Sequence, residues 1–507
     1  MMRLPIWPQA IEHGCSPGRV AFGGLLVTVV GAAMLAGVVV QRGPIPAAAA
    51  ILGLVAAVVV ASDARAGLWV MVAVAALLPY AVIPVKVVIT PPVLEVIGLA
   101  VLTVWSIQLF LRRDSAIPIH PAVAAVAVYL SVSLFAFILG VGRGYTTQTF
   151  HDYAKFLVGS SVFFVAWTVL GTLHDVRRTT VVFLGSAGVA AAIGLVLYAG
   201  GPSLTLTVLS RLVPYGYPSS RIVRFIEDDP AKPMRLTSTS VDPNSFAGLL
   251  ALAFVVGLAQ FVARKPVVPR LVTGLVVAVC GAALLLTYSR AGWLGAAVGV
   301  AIVALARYRW LLVPGALGTT GAIGLGIGEG FFERLWQGFT LQDRATQMRL
   351  EEYRTALAII REYPAFGVGF GQAPSVELWT GVSSIYLLVA EQMGLLGLAA
   401  LTIALVSSAV QGWRAWRTAE WDERSDLLLA WLAAQAATLL IGLFDHYYMN
   451  ISFPHMVMLF WLTQAFVLVL ALRVGTTEKN EERRWEQEMV RDDGTQLTNR
   501  RADTATA

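Results

Sequence analysis

Apolar runs of about 18 to 22 residues recur along nearly the whole chain, each long enough to cross a hydrocarbon core as a single helix. Lipid offers no partners to backbone amides, so a chain built this way folds as a bundle of helices that satisfy their own hydrogen bonds. Charge supports the same reading. Only 13% of the 507 residues are charged, against about 25% in a soluble domain, and the mean hydropathy is +0.71.

The runs begin near residues 20, 45, 67, 92, 119, 156, 179, 244, 271, 291, 309, 384, 426 and 453, which predicts about fourteen spans. The first lacks a small-residue cleavage site and leads straight into further spans, so it reads as a retained helix. Alternate loops carry Arg65; Arg112 and Arg113; Arg177 and Arg178; Arg264, Lys265 and Arg270; Arg307 and Arg309; and Arg414, Arg417 and Arg424. This bias places those loops and both termini in the cytoplasm, and it explains the net charge of +6 better than nucleic-acid binding does. Cys15 and Cys280 fit neither a disulfide framework nor a metal site.

The expected fold is therefore an all-α integral membrane protein, multi-pass, in the plasma (inner) membrane. Residues 1–199 form N-terminal spans, 200–243 an outer loop, 244–328 central spans, 329–383 a large outer loop, 384–472 C-terminal spans and 473–507 a polar cytoplasmic tail. Loops as long as the two outer ones generally bind or cover something. In the second, Leu350, Tyr353, Leu357 and Ile360 fall at helical spacing and predict a short amphipathic helix ending at Pro364. The following Phe366-Gly367-Val368-Gly369-Phe370-Gly371 reads as a tight turn with amides free for an anion.

Arg290, in Thr287-Tyr288-Ser289-Arg290-Ala291-Gly292, stands between two apolar runs where a charge is costly. It either snorkels to the surface or faces a substrate. Arg349 reads as its companion, or as the polar face of a surface helix beside Glu351 and Glu352. Glu391, about two turns into a span, is expected to pair with an arginine or line a cavity. Asp242-Pro243-Asn244 reads first as a helix cap. Lys86 and Glu95 read as an interfacial pair, with His151 and Lys155 at the outer end of the sixth span.

Separated segments resemble the O-antigen ligase and O-antigen polymerase-like membrane glycosyltransferases, in order. They are Arg235-Leu236-Thr237-Ser238-Thr239 with Asp242-Pro243-Asn244-Ser245-Phe246-Ala247, the Arg290 segment, Arg349-Leu350-Glu351-Glu352-Tyr353 with Tyr363-Pro364-Ala365-Phe366-Gly367-Val368-Gly369, and Tyr386-Leu387 with Glu391-Gln392-Met393-Gly394. The resemblance covers about residues 235 to 400. It implies transfer of a glycan from a polyprenyl diphosphate such as undecaprenyl diphosphate to a hydroxyl on a lipid or another glycan, as in lipopolysaccharide and other cell-envelope polysaccharides. The partners are then the lipid-linked glycan, the acceptor and the membrane. A polymerase of the same family, a lipid-linked glycan transporter and a non-catalytic glycan-lipid binder are the alternatives.

Guanidinium groups suit a diphosphate leaving group because they stay charged and grip oxygens in pairs. Arg290 and Arg349 are the expected catalytic cations, with Arg235, Asn244, Ser289, Tyr386 and Glu391 as substrate-binding positions. No Asp-x-Asp pair or His-Cys cluster occurs in the outer loops, so neither metal nor cofactor is expected. Where the family carries a histidine proposed to activate the acceptor, this chain has Ser383, which cannot act as a base without one of its own. His446, beside Asp445, is the replacement candidate, with His455 nearby in sequence.

Overall fold

The computed structural model describes residues 44–83, 90–111, 119–140, 144–313, 315, 344–371 and 382–474. The N-terminal unit, which ends at Ser62, contributes one described helix, α1 (Pro44–Ser62), apolar throughout. The larger unit starts at Asp63, whose carboxylate caps α2 (Ala64–Leu77). It continues with α3 (Val93–Leu111), α4 (Pro121–Gly140), α5 (Thr147–Val169), α6 (Leu173–Ala199), α7 (Gly201–Ser210), α8 (Pro243–Val262), α9 (Arg270–Leu286), α10 (Arg290–Ala306), α11 (Arg344–Glu362), α12 (Ile385–Thr418), α13 (Glu423–Phe444) and α14 (Pro454–Leu468). Among the described residues the only sheet is a hairpin of two-residue strands, β1 (Arg224–Phe225) and β2 (Met234–Arg235).

Among the described residues, seven helical stretches are long and apolar enough to cross a membrane. The chain is a multi-pass membrane protein. Most of the expected starts fall in helices; the runs near 20 and 309 lie wholly or mainly outside the described residues, as does the 473–507 tail beyond Val474. The helix expected near 156 begins at Thr147, about two turns earlier. Its first turns are polar and escape a hydropathy reading, but a Thr146–Thr149 capping box starts them. They are held to α3 by Glu95, which binds Lys155 at 3.2 Å and His151 at 3.1 Å. Glu95 thus pairs across helices; its expected partner Lys86 lies outside the described residues.

Helix α14 is the buried centre, with His455 and every residue from Met456 to Leu470 buried. Small residues bring helices close around it. A Cβ on Gly159 of α5 would sit 3.1 Å from the Pro454 carbonyl, and one on Gly299 of α10 would sit 3.2 Å from the Ala433 carbonyl of α13. α10 and α13 run antiparallel. At one end of this pair Arg307 meets Asp426 at 2.8 Å, and Asp426 also accepts from Tyr308 (2.9 Å), Trp421 (3.1 Å) and the Arg264 amide (3.2 Å). The Arg264 guanidinium stacks 3.6 Å above the Trp421 ring. That end is closed by a carboxylate whose partners are complete. α13 spans 22 residues, about 33 Å, and its other end carries Asp445 and the residues of the candidate site.

Helix α12 breaks at Gly394, which sits at φ +68°. Val368 N–H donates to the Glu391 carbonyl and Gly369 N–H to the Gln392 carbonyl, both at 2.9 Å, while Leu395 N–H returns to the Pro364 carbonyl at 2.7 Å. Gly367 N–H binds the Tyr363 carbonyl and Phe370 N–H the Tyr145 hydroxyl. The glycine turn read from sequence as an anion site therefore spends these amides on mending a broken membrane helix. A buried break leaves carbonyls that lipid cannot satisfy, and a glycine-rich segment can approach closely enough to fill them.

Candidate active site at the arginine end of the bundle

Three chain segments meet beside the start of α10, and two of them are in conformations that side chains rarely adopt. Tyr288 (φ +53°) precedes Ser289 and Arg290, and Ser238 (φ +51°) and β-branched Val241 (φ +63°) precede Asp242. Left-handed backbone at a β-branched residue costs free energy and persists only where its surroundings impose it. Here the surroundings are named. Arg235 donates from Nε to the Thr287 carbonyl at 2.8 Å and from Nη2 to Asn244 Oδ1 at 2.7 Å, and Leu236 N–H binds the Leu286 carbonyl at 2.9 Å. Asp242 caps α8 through the Ser245 amide at 2.7 Å. Arg235 and Asn244, expected as substrate-binding residues, thus bind each other and pin the α9–α10 turn. Ser289 is buried at the N-terminus of α10.

Arg290 reaches across to α11, its Nη2 lying 3.4 Å from Thr346 Oγ1. Thr346 and Arg349 are three residues apart on that helix and share a face, so the two arginines approach one place. Arg349 is half-buried, and among the described residues no hydrogen bond or ion pair engages it. Its charge acts on Asp445 and Tyr353. The amphipathic helix expected from sequence is present, but its inward face is Tyr353, Ala356 and Ile359; Leu357 is exposed. The stripe was placed one position off at Leu357.

Tyr353 is one turn beyond Arg349, and its hydroxyl lies 3.0 Å from the Ser383 carbonyl and 3.1 Å from that of Leu443. Glu352 Oε2 accepts from the Ser383 amide at 3.0 Å. These contacts set Ser383 beside the end of α13 and within a turn of α11 from Arg349. Tyr386 turns away, its hydroxyl on the Leu439 carbonyl at 3.0 Å. Glu391 is buried at the break in α12, and its Oε2 has no partner among the described residues.

Asp445 follows α13 and is buried. Its Oδ1 accepts from the His446 amide at 3.0 Å, and among the described residues its Oδ2 has no partner; neither do the hydroxyls of Tyr447 and Tyr217 or either ring nitrogen of His455. Buried polar groups are normally satisfied, and Asp445 Oδ2 is an unpaired one that lies within the field of Arg349. Burial pushes the Asp445 carboxyl above its ordinary range and Asp242 adds to the push, while His446 and Arg349 oppose it. The folded protein then holds that proton more tightly than the unfolded chain, and the stability this gives is lost as pH rises from about 4. Asp445→Asn is expected to unfold at or above the wild-type temperature at pH 7, with the gap closing toward pH 4 in a thermal melt in detergent.

Residues 275–402 match the family model for O-antigen ligase. Through that segment the chain is similar to the O-antigen ligase family. The match takes in Arg290, Arg349, Ser383, Tyr386 and Glu391, while Arg235, Asn244, Asp445 and His446 lie outside it. No curated protein matches this chain. The match, together with the long apolar helices, supports an O-antigen ligase- or polymerase-like membrane glycosyltransferase. Asn450 carries no signal in the sequence, and the contacts of Asp445, Glu352 and Tyr353 depend on which helix ends meet. Among the described residues no group of three or more histidines, cysteines or carboxylates gathers as metal ligands.

Proposed function

We propose that this protein moves a glycan from a polyprenyl diphosphate to a hydroxyl on a lipid or glycan at the outer face of the plasma membrane. The observation that carries the reading is the contact of Arg290 with Thr346 on the face of α11 that also bears Arg349. Two guanidinium groups so placed neutralise the charge that grows on the bridging oxygen as the anomeric carbon–oxygen bond breaks. The acceptor hydroxyl attacks from the opposite side, the anomeric carbon–oxygen bond breaks, the configuration inverts, and the hydroxyl proton passes to the departing diphosphate. Charge stabilisation is supplied by arginine alone, so the reaction needs no metal.

The test is reconstitution of the full chain in vesicles with a polyprenyl diphosphate glycan, offered either a lipid acceptor or a second lipid-linked glycan, in the presence of a chelator. Transfer to lipid names a ligase, and transfer to glycan names a polymerase. Unchanged rates in chelator support the arginine-only scheme. Binding of the lipid-linked glycan without transfer to any acceptor would identify a binding protein instead, a reading that Ser383 at the family's histidine position favours.

A further inference from the structure

His446 and Asn450 lie in the short turn between α13 and α14, where the amides of Met449 and Asn450 both donate to the His446 carbonyl at 3.0 Å. The turn brings the two side chains together, with the Asn450 amide nitrogen 3.0 Å from His446 Nδ1. The orientation of that amide is set from its other side. Asn450 Oδ1 accepts the Ser452 N–H at 2.8 Å, so the group facing the imidazole is the NH2. An amide NH2 only donates, and Nδ1 must therefore accept. The ring hydrogen then sits on Nε2, which has no partner among the described residues and is not sealed off. A second proton on Nδ1 would set two donors against each other. Asp445, the carboxylate next in sequence, spends Oδ1 on the His446 backbone amide instead of the ring. Phe453 packs 5.8 Å from the imidazole, centroid to centroid.

We infer that Asn450 is a positioning residue that holds His446 as the neutral Nε2–H tautomer, so that His446 offers the substrate a hydrogen-bond donor for a phosphate or sugar oxygen instead of taking the acceptor's proton. This rests on the glycan-transfer reading for the substrate, but the tautomer itself does not. The Nδ1 lone pair is occupied and Nε2 carries a hydrogen, so the neutral ring has no free site for a proton. The assignment changes the part expected of His446 from base to donor and makes Asn450, four residues on, the group that decides it.

The experiment uses the full chain labelled with 15N-histidine in lipid nanodiscs, with the His446→Gln spectrum subtracted to assign the His446 signals. The expected result is an unprotonated Nδ1 and a protonated Nε2 at neutral pH. In Asn450→Asp the new carboxylate accepts from Nδ1–H, so the tautomer should reverse. In the reconstituted transfer assay, His446→Gln keeps an N–H donor near the Nε2 position and should retain activity within about tenfold, while His446→Ala should lose more. A wild-type ring protonated on Nδ1, or a glutamine variant as inactive as the alanine variant, overturns the inference. If the wild type transfers no glycan at all, the transfer reading fails, and the nitrogen shifts still decide the tautomer.

Discussion

Arg349→Ala is expected to lower glycan transfer by about two to three orders of magnitude while the protein inserts and purifies as the wild type does. The two halves of that expectation come from different observations. The catalytic loss follows from taking away one of two cations that face a developing diphosphate charge. The intact fold follows from the isolation of the side chain: no hydrogen bond or ion pair holds it among the described residues, so its removal orphans nothing there. Arg307 at the other end of the bundle is the contrast. It neutralises Asp426, and deleting it would strand a buried carboxylate at a cost of about 3 to 5 kcal/mol, so that variant should lose folded yield. Arg349→Lys should recover only part of the transfer rate, because an ammonium keeps the charge but not the paired donors. Transfer by Arg349→Ala at the wild-type rate would remove the arginine from the chemistry.

Gly394→Ala is the substitution expected to damage the fold most. Gly394 stands at φ +68°, where an alanine is strained, and a Cβ there would overlap the Ala365 carbonyl and come 2.5 Å from the Phe366 nitrogen. Those are backbone atoms, so no rotamer change relieves the overlap. The break in α12 would have to shift, releasing the hydrogen bonds that Val368, Gly369 and Leu395 make across it, inside a region where released carbonyls find no water. Folded, monodisperse protein after detergent extraction should fall to a small fraction of the wild-type amount. Gly185→Ala is the control, because nothing lies within 4 Å of a Cβ at that helical position. Equal yields from the two variants would show that the seam does not hold the bundle together.

The helical bundle was legible in the sequence because lipid imposes one requirement, and long apolar runs state it directly. α5 shows the limit of that signal. Its first three turns carry His151, Asp152 and Lys155 and look like loop until the Glu95 pairing is known. Arg290 is conspicuous in the sequence as a charge between apolar runs, whereas Arg349 stands out only through the resemblance. Their surroundings were not legible. Arg235 and Asn244 carry the residue types of a binding site, and only coordinates tell that Arg235 also reaches the Thr287 carbonyl and the Asn244 amide oxygen. The glycine turn misled for a related cause: free amides and amides bound to a broken helix are the same letters. Tyr353 read as part of an apolar stripe, and its hydroxyl ties two helix ends together.

The seam between residues 364–369 and the broken α12 also limits how Arg349 can move. α11 is fastened at its C-terminal end by main-chain bonds that depend on no side chain, and again partway along by Tyr353. A rod held at those two places cannot slide along its axis. Arg349, one turn before Tyr353, therefore keeps its height along that axis, and the contact of Arg290 with Thr346 falls on the same fixed helix.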